Sequence, residues 1–204
     1  MGTRLATGID RNRLILKLEC NDGYPRLERS VLSSIANAIE HLNHSPKLVG
    51  AVITGTEKAF AAGAEIAELA TLAGAGPAAA FQFAREAQAV MNYVARSRKR
   101  VVAAIQGFCI GGGLDLALAC HARTATRDAV FAHPGGSLGI ITGWGGTQRL
   151  PRLIGKARAM EMFVSGRRVD AAEAQAWGLV DKIVEIEDVR AMQFGLTSLT
   201  MRVE

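Results

Sequence analysis

Cysteine and aromatic residues are scarce in this chain of 204 residues, and several common site patterns are absent. Its three cysteines have no CxxC spacing, and its four histidines have no HExxH-like spacing. An odd number of cysteines in apolar surroundings is typical of reduced, structural thiols. We therefore expect a cytoplasmic protein without a metal site.

Long hydrophobic runs are also absent. No stretch reaches the roughly 18 apolar residues of a membrane span, and the first residues contain no apolar signal core. Lysine and arginine exceed the acidic residues, 24 to 19, but the only dense basic run is residues 96–100. Such a run is typical of a solvated helix end or loop. We expect neither membrane nor nucleic-acid partners, and the charge balance suits an anionic small ligand that carries phosphates.

Strands and helices are expected to alternate, which predicts an α/β protein. Apolar runs predict strands over 13–19, 48–54, 101–107, 129–134 and 179–185. Helical spacing predicts helices near 27–43, after 61–63, over 78–96, starting within 111–120, and in three short segments between 143 and 178. A loop is expected at 73–77, and no structure is assigned to the stretch after 185.

Two strands run into glycine turns, AFAAGAEI at 59–66 and CIGGGLDL at 109–116. Glycine allows a sharp turn that leaves backbone N–H groups uncovered, and the helix that follows adds unsatisfied donors. A single turn of this kind often serves packing alone, but two converging donors suit a carbonyl that becomes an enolate. A dinucleotide site is disfavoured because the GxGxxG spacing is missing, and a Walker loop is absent.

Four segments resemble the enoyl-CoA hydratase/isomerase (crotonase) family. They are TGTEKAFAAGAEIAEL (54–69), VVAAIQGFCIGGGLDLALAC (101–120), GWGGTQRLPRLIGKARAMEM (143–162) and AAEAQAWGLVDKIV (171–184). The resemblance implies a spiral of ββα units, a homotrimer or dimer of trimers, and an acyl-CoA substrate. It further implies a lyase or isomerase of fatty acid metabolism that needs no cofactor besides the coenzyme A of its thioester.

The resemblance also implies roles for individual residues. The backbone N–H groups of Ala64 and Gly112 correspond to the oxyanion hole, and Asp115 corresponds to one of two catalytic carboxylates. The acid at 115 has an alternative role, which is to stabilise the N-terminus of its own helix. Further substrate contacts are expected from Ala62, Gly63, Glu65, Ile66, Ala67 and Gly111.

The second catalytic carboxylate of the family is missing, since Gly135 occupies its position. A bound anion or water, or His133 acting as a base, are alternatives for the proton transfer that the missing carboxylate would perform. We expect His133 to point the other way along its strand, because successive strand residues face opposite sides. Losing a positioned acid or base typically lowers a rate 10²–10⁴-fold. Isomerisation, which one carboxylate can serve, is therefore favoured over hydration.

Two further departures concern the coenzyme and the C-terminus. The family's coenzyme-contacting stretch aligns poorly with residues 19–26, where Arg26 is the candidate phosphate contact. A core over residues 1–185 is expected to be followed by a short divergent tail, 186–204, in place of the family's C-terminal helices. These departures favour an alternative function, a non-catalytic acyl-CoA-binding protein.

Overall fold

The computed structural model of the chain describes residues 2–194. Its ten strands are β1 (Arg4–Asp10), β2 (Arg13–Glu19), β3 (Gly50–Thr54), β4 (Ala59–Ala61), β5 (Arg100–Ile105), β6 (Phe108–Ile110), β7 (Ala122–Ala125), β8 (Val130–Ala132), β9 (Val169–Asp170) and β10 (Lys182–Ile183). Its eight α-helices are α1 (Arg29–His44), α2 (Ile66–Ala75), α3 (Pro77–Ala95), α4 (Gly112–Ala119), α5 (Gly146–Ile154), α6 (Lys156–Ser165), α7 (Ala171–Ala176) and α8 (Ile186–Phe194). A 3-10 helix spans Pro134–Leu138.

The strands form two sheets. The larger has the order β1-β2-β3-β5-β7-β10, and all its pairs are parallel except the antiparallel β1–β2 pair. The smaller has the order β4-β6-β8-β9, in which β4, β6 and β8 are parallel and β9 is antiparallel. The predicted α/β class is confirmed.

Three consecutive units repeat the same path through these sheets. In each unit one strand enters the larger sheet, the next enters the smaller sheet, and a helical segment follows: β3-β4-α2, β5-β6-α4 and β7-β8-α5. This repetition is the predicted spiral of ββα units. It places the ends of β4, β6 and β8 side by side, each leading directly into a turn or helix.

The larger sheet is buried on both faces. Leu14, Leu16 and Leu18 of β2 belong to the main core, while Ile15 between them faces the other side. There it packs with Val189 of α8, which is completely buried. Residues 186–194, left unassigned by the sequence, therefore form a helix on the sheet, and residues 195–204 lie outside the described part.

One expectation about the loops needs correction. The loop expected at 73–77 is a one-residue break, because α2 continues to Ala75 and α3 begins at Pro77. Gly76 joins them with a φ of 89°, a conformation that favours glycine. The basic run at 96–100 does follow the end of a helix, as predicted. Within residues 2–194, no helix is long and apolar enough to cross a membrane.

Candidate active site

The carboxyl ends of three parallel strands meet at one edge of the smaller sheet. Strand β6 lies between β4 and β8, pairing Cys109 with Ala61 on one side and Ile110 with Ala132 on the other. The segments that follow these strands begin at Ala62, Gly111 and His133. Sequence positions from 62 to 133 are thereby brought together.

A cavity of about 410 Å³ opens at this edge. Its volume is in the range of small-molecule sites, and its walls are mainly apolar. Helices α2 and α3 supply Leu69, Leu72 and Phe83, and later segments of the chain supply Ile141, Trp144 and Phe163. Two apolar side chains of the lining, Ile66 and Ile141, remain 65% and 64% exposed. The space suits a chain of methylene groups.

Both glycine turns border the cavity and lie against each other. A Cβ atom built on Gly63 would be 3.7 Å from the nitrogen of Gly112, which is van der Waals contact, so the two turns adjoin. The N–H groups of Ala64 and Gly112 donate no hydrogen bond to another group among residues 2–194. Gly112 is the first residue of α4, where the helix itself has no acceptor to offer.

Asp115 lies one turn into α4, wholly buried, and also lines the cavity. The Thr142 hydroxyl donates to its Oδ2 atom, whereas its Oδ1 atom has no hydrogen-bond partner among residues 2–194. Burial raises the pKa of this carboxyl to about 7, against the lowering effects of the Thr142 hydrogen bond and the Arg149 charge. Asp115 is thus a carboxyl that exchanges a proton near neutral pH, a property suited to acid–base catalysis.

The expectation that His133 points away from the site is wrong. Strand β8 ends at Ala132, so strand alternation no longer governs residue 133, which precedes the 3-10 helix. The imidazole is buried, lines the cavity, and places Nε2 3.7 Å from Asp115 Oδ1. Burial lowers the pKa of His133 to about 4. The imidazole is therefore neutral at pH 7.

Gly135 lines the cavity, but the structure leaves no room for a side chain there. A Cβ atom at this position would be 2.7 Å from the carbonyl oxygen of Ile140. The Ile140 N–H in turn donates to the Gly135 carbonyl at 3.0 Å, which closes the loop over the glycine. The space that a side chain at position 135 would need is thus taken by the Ile140 backbone.

Not every predicted contact residue borders the cavity. Ala62, Gly63, Ile66 and Gly111 line it, whereas Glu65 and Ala67 do not. The Glu65 carboxylate caps α2 by accepting the Ala67 N–H at 3.3 Å.

Arg26, the candidate phosphate contact, also lies off the cavity lining. It donates to Asp22 at 2.8 Å, and its Nε lies 3.7 Å from a Glu65 oxygen. Its side chain is 34% exposed, so a phosphate has to compete with two carboxylates for it.

Two residues of the site, Thr142 and Trp144, are not among the predicted site residues, although Trp144 falls in the family-like segment 143–162. Thr142 contacts Asp115, and the Trp144 ring fills the space that a side chain on Gly112 would need. Both belong to the loop before α5 and reach the site only through folding. Among residues 2–194, no group of three or more His, Cys, Asp or Glu side chains is placed to hold a metal ion.

Folding moves a proton from His133 to Asp115 over a defined pH range. Between pH 4 and 6.5 the unfolded chain carries a charged histidine and an ionised aspartate, given ordinary pKa values of 6.5 and 3.8. In the folded chain the imidazole is neutral and the carboxyl protonated. Both states bind one proton at this pair, so the pair adds little pH dependence to stability.

Removing either partner should expose the pH dependence of the other. In His133→Gln the folded state binds the extra proton at Asp115, so the free energy of unfolding should fall as pH rises from 4 to 7. In Asp115→Asn the unfolded state binds the extra proton at His133, so the free energy of unfolding should rise as pH rises from 4 to 6.5. Each change should be on the order of 3 kcal/mol. Urea unfolding at several pH values measures the free energy of unfolding of each variant. Plots of this free energy against pH that run parallel to that of the unmodified protein would contradict the protonation states given to Asp115 and His133.

Comparison with known proteins agrees with the resemblance seen in the sequence. The family model described as "Enoyl-CoA hydratase/isomerase" matches residues 19–198. "Probable enoyl-CoA hydratase echA8" of Mycobacterium tuberculosis is 40% identical over 163 residues. The crotonyl-CoA hydratase of Syntrophomonas wolfei is 38% identical over 164. Each alignment covers 80% of this chain, which spans 62% of the relative's length.

A solved structure extends the likeness to three dimensions. The enoyl-CoA hydratase of Bacillus anthracis superposes with a TM-score of 0.85 at 32% identity, covering 94% of this chain and 74% of that one. At this identity the likeness concerns sequence as well as fold. The chain belongs to the enoyl-CoA hydratase/isomerase family.

Proposed function

We propose that the chain binds an acyl-CoA thioester in the cavity and stabilises its enolate. The observation that carries this proposal is the pair of adjoining turns whose Ala64 and Gly112 N–H groups are uncommitted beside a buried carboxyl. The thioester oxygen accepts both N–H groups, and the acyl chain extends along the apolar walls. Preorganised donors of this kind stabilise negative charge as it develops in the transition state.

Asp115 carries the proton in this proposal. As a carboxylate it removes a proton next to the thioester, and as a carboxylic acid it returns the proton to another carbon of the enolate. Its pKa of about 7 makes both forms available at neutral pH. One such group is enough to move a double bond, so isomerisation of an enoyl-CoA is the reaction that needs Asp115 alone. Hydration needs a further group that activates water.

The other parts of the proposal follow from the family. The relatives named as hydratases support a hydratase or isomerase, and the family resemblance favours a homotrimer or dimer of trimers. The cysteines of the described chain, Cys20, Cys109 and Cys120, are unpaired, which suits a reducing compartment such as the cytoplasm. Light scattering after size-exclusion chromatography tests the assembly.

Calorimetry with octanoyl-CoA, acetyl-CoA and free coenzyme A tests binding. Octanoyl-CoA should bind most tightly, because each buried methylene contributes up to about 0.8 kcal/mol in an apolar cavity. The same protein is then assayed for hydration of crotonyl-CoA and isomerisation of a 3-enoyl-CoA. Binding without turnover would favour the non-catalytic alternative, for which Gly135 is the supporting observation. No heat with either thioester would overturn both functions.

A further inference from the structure

Asp115 and His133 face each other with atoms that lack partners. The carboxylate is fully buried and the imidazole is 4% exposed. Among the described residues, neither Asp115 Oδ1 nor His133 Nε2 has a hydrogen-bond partner. Their separation of 3.7 Å exceeds that of a direct hydrogen bond. Buried polar atoms without partners are rare and indicate a water or ligand that completes the site.

The surroundings leave these two atoms free for such a molecule. Thr142 donates to Asp115 Oδ2, and the backbone N–H groups of Trp144 and Gly146 favour the charge of the same carboxylate. Oδ1, which lies against Gly146, is the oxygen without a hydrogen-bond partner beside the imidazole among the described residues. The Phe163 ring, with its centroid 5.1 Å from that of His133, packs against the imidazole. Burial raises the pKa of Asp115, the Arg149 charge lowers it in part, and the Arg149 guanidinium donates a hydrogen bond to the Asn92 side chain at 2.6 Å. Both titratable side chains line the cavity that contains Gly112.

We infer that His133 is the second proton-transfer residue of the site, and that with Asp115 it holds the water that adds to an enoyl-CoA. The inference rests on the proposed function and goes beyond it, because enolate stabilisation and isomerisation need only Asp115. It gives His133 the acid–base role for which Gly135 has no side chain. The chemical class of the substrate is a 2-enoyl thioester.

The step balances with these two groups alone. His133 Nε2 takes a proton from the water while the water oxygen bonds to the β-carbon, breaking the π bond. The electron pair moves to the thioester, whose oxygen accepts the Ala64 and Gly112 N–H groups. Protonated Asp115 then delivers its proton to the α-carbon. The proton on His133 passes back to Asp115, which restores the starting state.

The protonation states at neutral pH agree with these roles. A neutral imidazole has a lone pair to accept the proton of the water, and the pKa of His133 of about 4 keeps it neutral. The pKa of about 7 keeps a large fraction of Asp115 protonated as the acid. Burial raises the pKa of Asp115 and the Arg149 charge lowers it in part, whereas burial lowers the pKa of His133.

The test is the His133→Gln variant, assayed for both reactions. Glutamine still forms hydrogen bonds but transfers no proton, so hydration of crotonyl-CoA should fall about 10²-fold. Isomerisation of a 3-enoyl-CoA, which uses Asp115, should fall only several-fold. The ratio of the two rates therefore separates proton transfer from mere structural support. His41→Gln, at an exposed position on α1, is the matched control and should change neither rate.

Each outcome bears on the inference. Equal losses in both reactions would overturn it and make His133 a support for Asp115, and unchanged hydration would overturn it outright. Unmodified protein that isomerises but does not hydrate would overturn it while leaving the proposed function intact. Absence of octanoyl-CoA binding by the unmodified protein would overturn the proposed function as well.

A measurement on the unmodified protein covers the case of a variant that does not fold. Among the described histidines, only His133 is buried, so its ¹⁵N imidazole signals should stay in the neutral form down to about pH 5. Addition of butyryl-CoA, which fills the cavity without reacting, should shift the Nε2 signal. A signal that does not respond to a bound thioester would overturn the inference.

Discussion

Asp115→Asn should lower the rates of both hydration and isomerisation by about 10³–10⁴-fold. Asparagine has nearly the same volume and still accepts the Thr142 hydroxyl, but it exchanges no proton. Asp115 is wholly buried and lines the same cavity as both glycine turns, and both proposed reactions use its proton. Octanoyl-CoA should bind within several-fold of its original affinity, because the carboxyl contributes to turnover rather than to the apolar walls.

The matched control is Asp128→Asn, at an exposed position before β8. It removes the same charge and should leave both rates unchanged. Steady-state assays at several pH values, with calorimetry on the same preparations, complete the comparison. Full activity in Asp115→Asn would remove this residue from the mechanism and leave it as a group that stabilises the N-terminus of α4.

Gly112→Ala should lower both rates by about 10²–10³-fold, the typical effect of losing one oxyanion donor. A methyl group at 112 overlaps the Trp144 ring. That ring packs edge-on against Phe83, with centroids 5.7 Å apart and an angle of 75°, so it has little room to move aside. The first turn of α4 must shift instead, which turns the Gly112 N–H away from its target.

Gly74→Ala in α2 is the matched control, since a Cβ atom there meets nothing within 4 Å. It should leave the rates unchanged and raise the free energy of unfolding by up to about 1 kcal/mol, the difference in helix propensity. Comparing the two alanine variants separates a general effect of losing a glycine from the specific effect at the turn. Retained activity in Gly112→Ala would contradict the role of this N–H group.

Strands buried on both faces were predictable because their sequences are continuous apolar runs. Strands β2, β3 and β5 lie where the sequence predicts them. The short strands β4, β6 and β7 have three or four residues each and show no periodicity, so the repeating unit of the spiral is invisible to pattern reading. It emerged from the family resemblance, and the structure supplies the missing strands.

The site was predictable in its backbone but not in its side-chain contacts. Glycine patterns identify the turns at Gly63 and Gly112, because chain reversal and close approach impose glycine. The contacts of Thr142 with Asp115 and of Trp144 with Gly112 join segments about 30 residues apart, and no local pattern records them. The orientation of His133 was mistaken because the end of β8 was placed after residue 133 rather than before it.

The most direct test of the central claim compares two ligands that differ in one oxygen atom. Butyryl-CoA carries the thioester carbonyl, whereas its thioether analogue S-butyl-CoA lacks it and keeps the same coenzyme and chain. Amide ¹H–¹⁵N spectra of the protein report both N–H groups separately. We expect the Ala64 and Gly112 signals to move downfield with butyryl-CoA and to remain near their free positions with S-butyl-CoA. Identical shifts with the two ligands would contradict an oxyanion hole at these residues.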